Sequence, residues 1–249
     1  HQFDADFAAP RYWLDEEAAR AELLAPRIKA VRRELERLGV TTPPEPERIA
    51  LNYDSYRMAF RDVAASTNER TVIATVLPPK RFCPHTVSLE MVFRDEVTAD
   101  GHSSVAHLDP LQRLYITSVF NSYVFDWFLR QSVTAHVSFF FVYNTPVPRL
   151  ERGDERFASI TSRAARLICT TPEFDALALS VGLKSHQDGA TDPAERARLR
   201  AELDGLVAHL YGLSEEEFAH ILSTFPLVAD AVKVDAHNAY RRVAKGLVN

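Results

Sequence analysis

Cys83 is followed by three histidines, His85, His102 and His107, the one stretch where nitrogen and sulfur ligands gather in the chain. Cys83 has no second cysteine at ligand-pair spacing, so no paired-cysteine zinc site is implied. Cys169 lies 86 positions beyond Cys83, so neither a metal site nor a disulfide framework is expected, and both thiols read as buried and free. Loops that cradle phosphate need closely spaced glycines, but no two glycines here fall within five positions of each other, which excludes the Walker and Rossmann fingerprints. Each of the five lysines, Lys29, Lys80, Lys184, Lys233 and Lys245, is preceded two positions earlier by a residue other than Asp or Glu. The acid-spacer-lysine pattern of metal-dependent nucleases is therefore missing. No Gly-x-Ser-x-Gly elbow marks a nucleophilic serine.

The elements that would position any site can be read from periodicity. Asp15 followed by Glu16-Glu17 caps a helix whose Leu23, Leu24, Ile28, Val31, Leu35 and Leu38 recur at helical spacing, with Pro26 expected to kink or split it. Thr41 to Pro46 is a stiff connector. Two strands are expected over Tyr56–Val63 and Thr71–Leu77 around the polar turn Ser66-Thr67-Asn68-Glu69, and a third over Thr86–Phe93 with a turn at Asp100-Gly101. Asp109-Pro110 opens one long helix reaching Gln131. His136 to Tyr143 is expected to be a buried strand, its Phe139–Phe141 run being core because a base-stacking platform would require exposure. Asn121 and Ser122 read as packing residues. Beyond Arg152 the pattern is helical, with helix starts at Asp154, at Asp192-Pro193 and at Ser214, where Ser214-Glu215-Glu216-Glu217 has capping-box spacing.

These elements give an α+β fold: a small mixed sheet with long helices and a helical C-terminal part. The expected divisions are a helical lead-in and connector over 1–46, a mixed core over 47–150 and a helical part over 151–249. The 249 residues are 46% hydrophobic and 25% charged, which suffices for an independent core, and no stretch has the length of a membrane span. A cytoplasmic protein without membrane partners is expected. A chain opening on His1 rather than Met reads as a piece of a longer protein.

The net charge of −5 by itself argues against a nucleic-acid binder whose affinity rests on phosphate neutralisation. The charge is uneven, however: Tyr56–Phe82 with Leu111–Arg166 holds 12 Lys/Arg against 6 Asp/Glu, leaving 17 against 28 elsewhere. Arginine outnumbers lysine 24 to 5, which suits phosphate and guanine edges and equally suits a GC-rich genome.

Three segments carry a family pattern. They are Tyr56-Arg57-Met58-Ala59-Phe60-Arg61-Asp62-Val63 continuing through Ser66 to Pro78, Asn121 to Gln131 with His136-Val137-Ser138-Phe139-Phe140 and Pro146-Val147-Pro148, and Ile221-Leu222-Ser223-Thr224-Phe225-Pro226. With the lead-in Pro10-Arg11-Tyr12-Trp13, they resemble the C-terminal target-recognition region, with a TaqI-like specificity domain, of Eco57I-like adenine-specific DNA methyltransferases of restriction-modification and phage defence. The resemblance covers most of Phe7 to Val228. It departs at Phe120, where the family usually has Leu, at Ala135, where Gly is frequent before the His, and near Ser138, where an Asn is usual.

The resemblance implies a module that recognises double-stranded DNA, while a separate catalytic domain or subunit binds S-adenosylmethionine and methylates a flipped adenine. No cofactor and no metal are expected in this chain, and no catalytic residue. Its Thr42-Pro43-Pro44 and Leu77-Pro78-Pro79 lack the polar head and the aromatic of an adenine-gripping Asn/Asp-Pro-Pro-aromatic loop. Candidate DNA contacts are Arg57, Arg61 and Arg70 around the turn bearing Asn68 and Thr71, together with Arg130, Gln131, Thr134 and His136 at the helix-to-strand junction, and Arg149 and Arg152 beyond it. These groups are expected to converge on one positively charged concave surface. Arg61 beside Asp62 fits a structural ion pair equally well, and Arg149, Arg152 and Arg156 fit an ordinary charged surface nearly as well. Two other readings remain open: a module that docks subunits of a defence complex through the acidic helical end, and a nuclease with an unrecognised site.

Overall fold

Asp15 accepts the backbone N–H of Ala18 and starts the first helix, α1 (Glu16–Arg37), which runs uninterrupted through Pro26. Proline removes one helical hydrogen bond. The helix is tied on both sides of that loss, by Arg20 to Asp54 at 3.0 Å and by Arg27 to Asp95 at 2.5 Å. In the computed structural model, residues 1–5 and 12–248 are described; Phe7, Pro10 and Arg11 of the expected lead-in lie outside them.

The strands β1 (Arg57–Arg61), β2 (Ala74–Leu77) and β3 (Val87–Leu89) form an antiparallel sheet in the order β2-β1-β3. A separate hairpin, β4 (Phe93–Thr98) and β5 (Gly101–Ala106), turns through residues 99–100, with Gly101 at φ 132° where a side chain would be strained. The expected third strand is thus divided between β3 and the first residue of β4. Val31 and Leu35 of α1 bury themselves with Ile49 against Val97 of the hairpin.

The long helix expected from Asp109 is two helices, α2 (Pro110–Phe120) and α3 (Tyr123–Arg130). The break has a tertiary cause. The Asn121 side chain accepts the N–H of Ala74 and donates to its carbonyl, both at 2.9 Å, and Ser122 then accepts the N–H of Phe125 as a new N-cap. Both residues are buried, in keeping with a packing role.

The expected strand over His136–Tyr143 is corrected: Phe139–Asn144 is a short helix, α4. Both edges of β1 are already taken by β2 and β3, so the segment cannot extend a ladder along β1. What remains of the pairing is a single bridge between Val63 and His136. The Phe139–Phe141 run is likewise not wholly core, because Phe140 is 70% exposed and Phe139 39%.

The remaining helices are α5 (Glu155–Ile168), α6 (Asp175–Ser180), α7 (Pro193–Leu210), α8 (Glu215–Ser223) and α9 (Asp230–Ala244). The caps read from sequence at Asp109, Asp192 and Ser214 are formed. The fold is α+β, about half helix. Its main apolar core takes Phe60 and Val76 from the sheet, Leu114 and Phe125 from α2 and α3, and Ile160, Leu167, Leu203 and Val207 from α5 and α7. Segments 47–150 and 151–249 therefore close around one shared core. Among the described residues no helix is long and apolar enough to cross a membrane.

Candidate nucleic-acid interface

The capped first turn of α3 carries Asp126 into the interior, where its side chain has no exposed surface. Four donors converge on this carboxylate: the N–H groups of Thr71 (3.0 Å) and Val72 (3.3 Å), Nε of Arg70 (3.0 Å), and Nε of Arg130 one turn further along α3 (2.9 Å). Arg70 also donates to the Asn121 carbonyl at 2.5 Å, and its guanidinium lies 4.1 Å from the Tyr123 ring centre. Arg130 lies 3.9 Å from the ring centre of Phe225, just after α8. One residue from each of the three family-like segments thus meets its counterparts at a single buried point.

Asp204 of α7, enclosed on the other side, accepts the N–H of Tyr123 at 3.0 Å. Burial opposes the charge of Arg70, but Asp126 and Asp204 outweigh it and raise its pKa. The Asp204 carboxyl is pushed up to about 6 by burial, against the pull of Arg70. A carboxyl that holds its proton more tightly when folded than when unfolded contributes stability below the unfolded value, near 3.9, and loses it as pH rises through about 6. Asp204→Asn should therefore gain about 2 kcal/mol relative to wild type between pH 4.5 and pH 8, read from urea midpoints at the two pH values. An unchanged difference between the two proteins across that range would contradict it.

This buried cluster braces two loops at the surface. Arg130 Nη2 points at the carbonyls of Asn68 and Glu69 (3.4 Å each), Arg61 donates to the Arg70 carbonyl (2.8 Å), and the Thr71 hydroxyl donates to that of Ala65 (3.1 Å). Asn68 Oδ1 accepts the N–H of Ala65 at 2.7 Å, closing the turn. The same turn is stitched to the segment after α3 by Ala64 N–H to the Ala135 carbonyl (3.1 Å), Val137 N–H to the Asp62 carbonyl (2.7 Å) and His136 Nδ1 to Asp62 Oδ2 (3.0 Å). Residues 62–70 and 131–137 form one ridge. Ser66, Thr67, Asn68, Glu69, Gln131, Ser132, Thr134 and His136 are exposed along it. Apart from Glu69, and leaving His136 to its Asp62 partner, these are neutral hydrogen-bonding side chains.

Eight of the eleven candidate residues come together here, in two tiers. Asn68, Gln131, Thr134 and His136 face solvent, whereas Thr71, Arg70 and Arg130 are enclosed and Arg61 is half-buried beneath them. Arg57 sits apart at the opposite end of β1, buried, donating to the Arg81 carbonyl. Burial lowers the pKa of both Arg57 and Arg61. Arg149 is exposed and without an ion pair among the described residues; Arg152 pairs with Asp109, and Arg156 with Asp154. The expected concave surface of converging guanidinium groups is therefore replaced by a polar ridge with its arginines turned inward. The reason is the unanticipated role of Asp126, whose signal was present in the sequence as an Asp at i and an Arg at i+4 on one helix.

A groove of about 730 Å³ lies elsewhere, lined by Tyr53, Phe60, Arg61, Thr75, Phe82 and Cys83 among others. Of its cations, Lys80 pairs with Glu16 and Asp54 and Arg81 with Glu173, whereas Arg61 has no ion pair among the described residues, donates to the Arg70 carbonyl and leaves its buried Nε unbonded. Cys83 and Cys169 are free thiols, and burial raises the pKa of both, which leaves little thiolate. Among the described residues, no three His, Cys, Asp or Glu side chains are grouped as a metal site would require. No family model, curated protein or solved structure matches the chain.

Proposed function

We propose that the chain is a DNA-recognition module of the adenine-methyltransferase kind its three segments resemble, reading duplex DNA through the ridge of residues 62–70 and 131–137. The observation that carries this is the ridge itself: amides, hydroxyls and an imidazole held outward on two loops that are cross-bonded to each other and anchored on a buried charged cluster. Base edges are read by such neutral donors and acceptors held at fixed positions, while phosphate contacts supply affinity without sequence information. In this reading the enclosed arginines orient the ridge and do not touch DNA. Methylation, with its S-adenosylmethionine, belongs to a separate catalytic domain or subunit.

The test is enrichment of a motif from a randomised duplex pool, followed by fluorescence anisotropy on the enriched duplex. Replacing Asn68, Gln131, Thr134 and His136 together by Ala should weaken binding at least about tenfold, since one well-placed base contact is worth about 1–3 kcal/mol. Arg149→Ala should weaken all duplexes alike and flatten the salt dependence by about one counterion. Failure to enrich any motif, or an unaltered affinity of the fourfold variant, would refute the reading. Charge reversal at Arg70 or Arg130 is uninformative, because it would disrupt the fold itself.

Docking through the acidic helical end is the weaker reading. Glu215 is engaged by Arg241 at 2.6 Å and His237 at 3.3 Å, and Glu217 accepts the Ser214 N–H at 2.7 Å, so two of the three clustered carboxylates already have partners.

A further inference from the structure

Directly beyond the ridge, α4 presents aromatic rings to solvent. Val142 is buried and Phe141 is packed against the main core, but Phe140 is 70% and Tyr143 79% exposed. The rings are held in place. Phe139 stacks on Tyr143 (centres 5.7 Å apart, planes at 26°) and meets Phe60 of the central strand edge-on at 5.4 Å. Phe140 packs edge-on against Phe141 at 5.6 Å. The end of the helix is fastened by Asn144 Nδ2 to the Phe140 carbonyl at 2.7 Å and by the Thr145 hydroxyl to that of Phe141 at 2.9 Å. The Tyr143 hydroxyl has no partner among the described residues, so hydrogen bonding does not account for the ring's position.

The electrostatics of the surrounding chain narrow the kind of partner. From Trp127 to Leu150 there is no Asp or Glu, although the whole chain has 34 of them, and the free cation Arg149 lies in this run. Along this run a polyanion meets no carboxylate; the neighbouring turn adds Glu69, and Asp62, which is held by His136. Size argues the same way. A stable protein interface needs about 800 Å² per partner, whereas a large aromatic side chain buries about 150–250 Å², so two or three partly exposed rings fall short of it. They match the area of one or two nucleobases.

We propose that Phe140 and Tyr143 are a base-stacking wedge that supports an unstacked nucleobase in the duplex read by the neighbouring ridge. The proposal rests on the DNA-recognition reading above. Proteins insert apolar side chains at base steps and meet the unstacking cost with ring contacts, and that cost is least where a base is already unpaired.

The test compares the full chain and its Phe140→Ala/Tyr143→Ala variant by anisotropy on two labelled duplexes of one sequence, fully paired or carrying a central mismatch. Wild type should favour the mismatched duplex about tenfold, the variant should lose that preference while still binding the paired duplex, and Tyr143→Phe should keep it. Both side chains are exposed, so the variant should retain the wild-type circular dichroism and urea midpoint. Equal wild-type affinity for the two duplexes, or a preference that survives the double substitution, overturns the wedge and leaves the ridge reading intact. Absence of binding to either duplex overturns both. Self-association by sedimentation that the double variant abolishes, with duplex preference unchanged, would instead identify the face as a contact between copies of the chain.

Discussion

Asp126→Ala should destabilise the protein by about 4 kcal/mol, read as a fall in the urea midpoint at constant slope. The carboxylate is fully enclosed and is the shared acceptor for two guanidinium groups and two backbone N–H groups. Its removal leaves Arg70 and Arg130 charged and enclosed, with the buried Asp204 as the remaining counter-charge of Arg70 and otherwise only carbonyls and the rings of Tyr123 and Phe225 to offset them. Breaking one side of a buried pair costs about 3–5 kcal/mol, several times the worth of a surface pair, because the orphaned charge has nowhere to be solvated. Asp126→Asn should fall between, since its carbonyl oxygen can still accept while the counter-charge is gone. A control is available in Arg152, whose pairing with Asp109 is exposed: Arg152→Ala should change stability by less than about 1 kcal/mol. Comparable losses for Asp126→Ala and Arg152→Ala would mean that the cluster is hydrated in solution.

Gly205→Ala should cost about 2–3 kcal/mol, although alanine is the better helix former by about 1 kcal/mol. Gly205 lies in α7 where it meets α9, and a Cβ there would stand 2.7 Å from the Tyr240 nitrogen and 2.9 Å from the Ala239 carbonyl carbon. Both are backbone atoms of a fifteen-residue helix, so relief requires the whole of α9 to move. Such a shift would loosen Tyr240 from its stack on His209 (centres 4.0 Å apart) and its hydroxyl from the Leu213 carbonyl at 2.7 Å. Thermal unfolding by circular dichroism would check this, and a midpoint equal to or above that of wild type would show that the helices are less closely packed in solution. Because Asp204 adjoins Gly205 and holds Tyr123 at the start of α3, the shift should also reach the ridge.

Local chemistry made many elements legible. Asp15, Asp109, Asp192 and Ser214 announced their helices because a capping side chain and the N–H it accepts lie within three residues of each other. The polar turn between β1 and β2 was visible as Ser66 to Glu69, and four outward-facing candidates, Asn68, Gln131, Thr134 and His136, do share one surface. The failures were of another kind. A continuous helix from Asp109 to Gln131 was ruled out by Ala74, 47 positions from Asn121, and the strand over His136–Tyr143 by the lack of a free edge on β1. Pro26 passed without breaking its helix, which is tied to Asp54 and Asp95 on either side of it.

By itself the sequence determined where helices start, where β1 and β2 lie around their polar turn, that the class is α+β, and that the usual phosphate-loop and nucleophile signatures are lacking. Those properties depend on neighbours within a turn or a strand pair. Only the tertiary structure decided which arginines are spent internally and which polar groups face outward. The direction of a guanidinium is settled by the nearest unpaired carboxylate in space, and for Arg70 that carboxylate is 56 positions away on another element. Desolvation makes such a pairing obligatory once the chain closes, and so a run of basic residues that reads as a contact surface becomes the support beneath one.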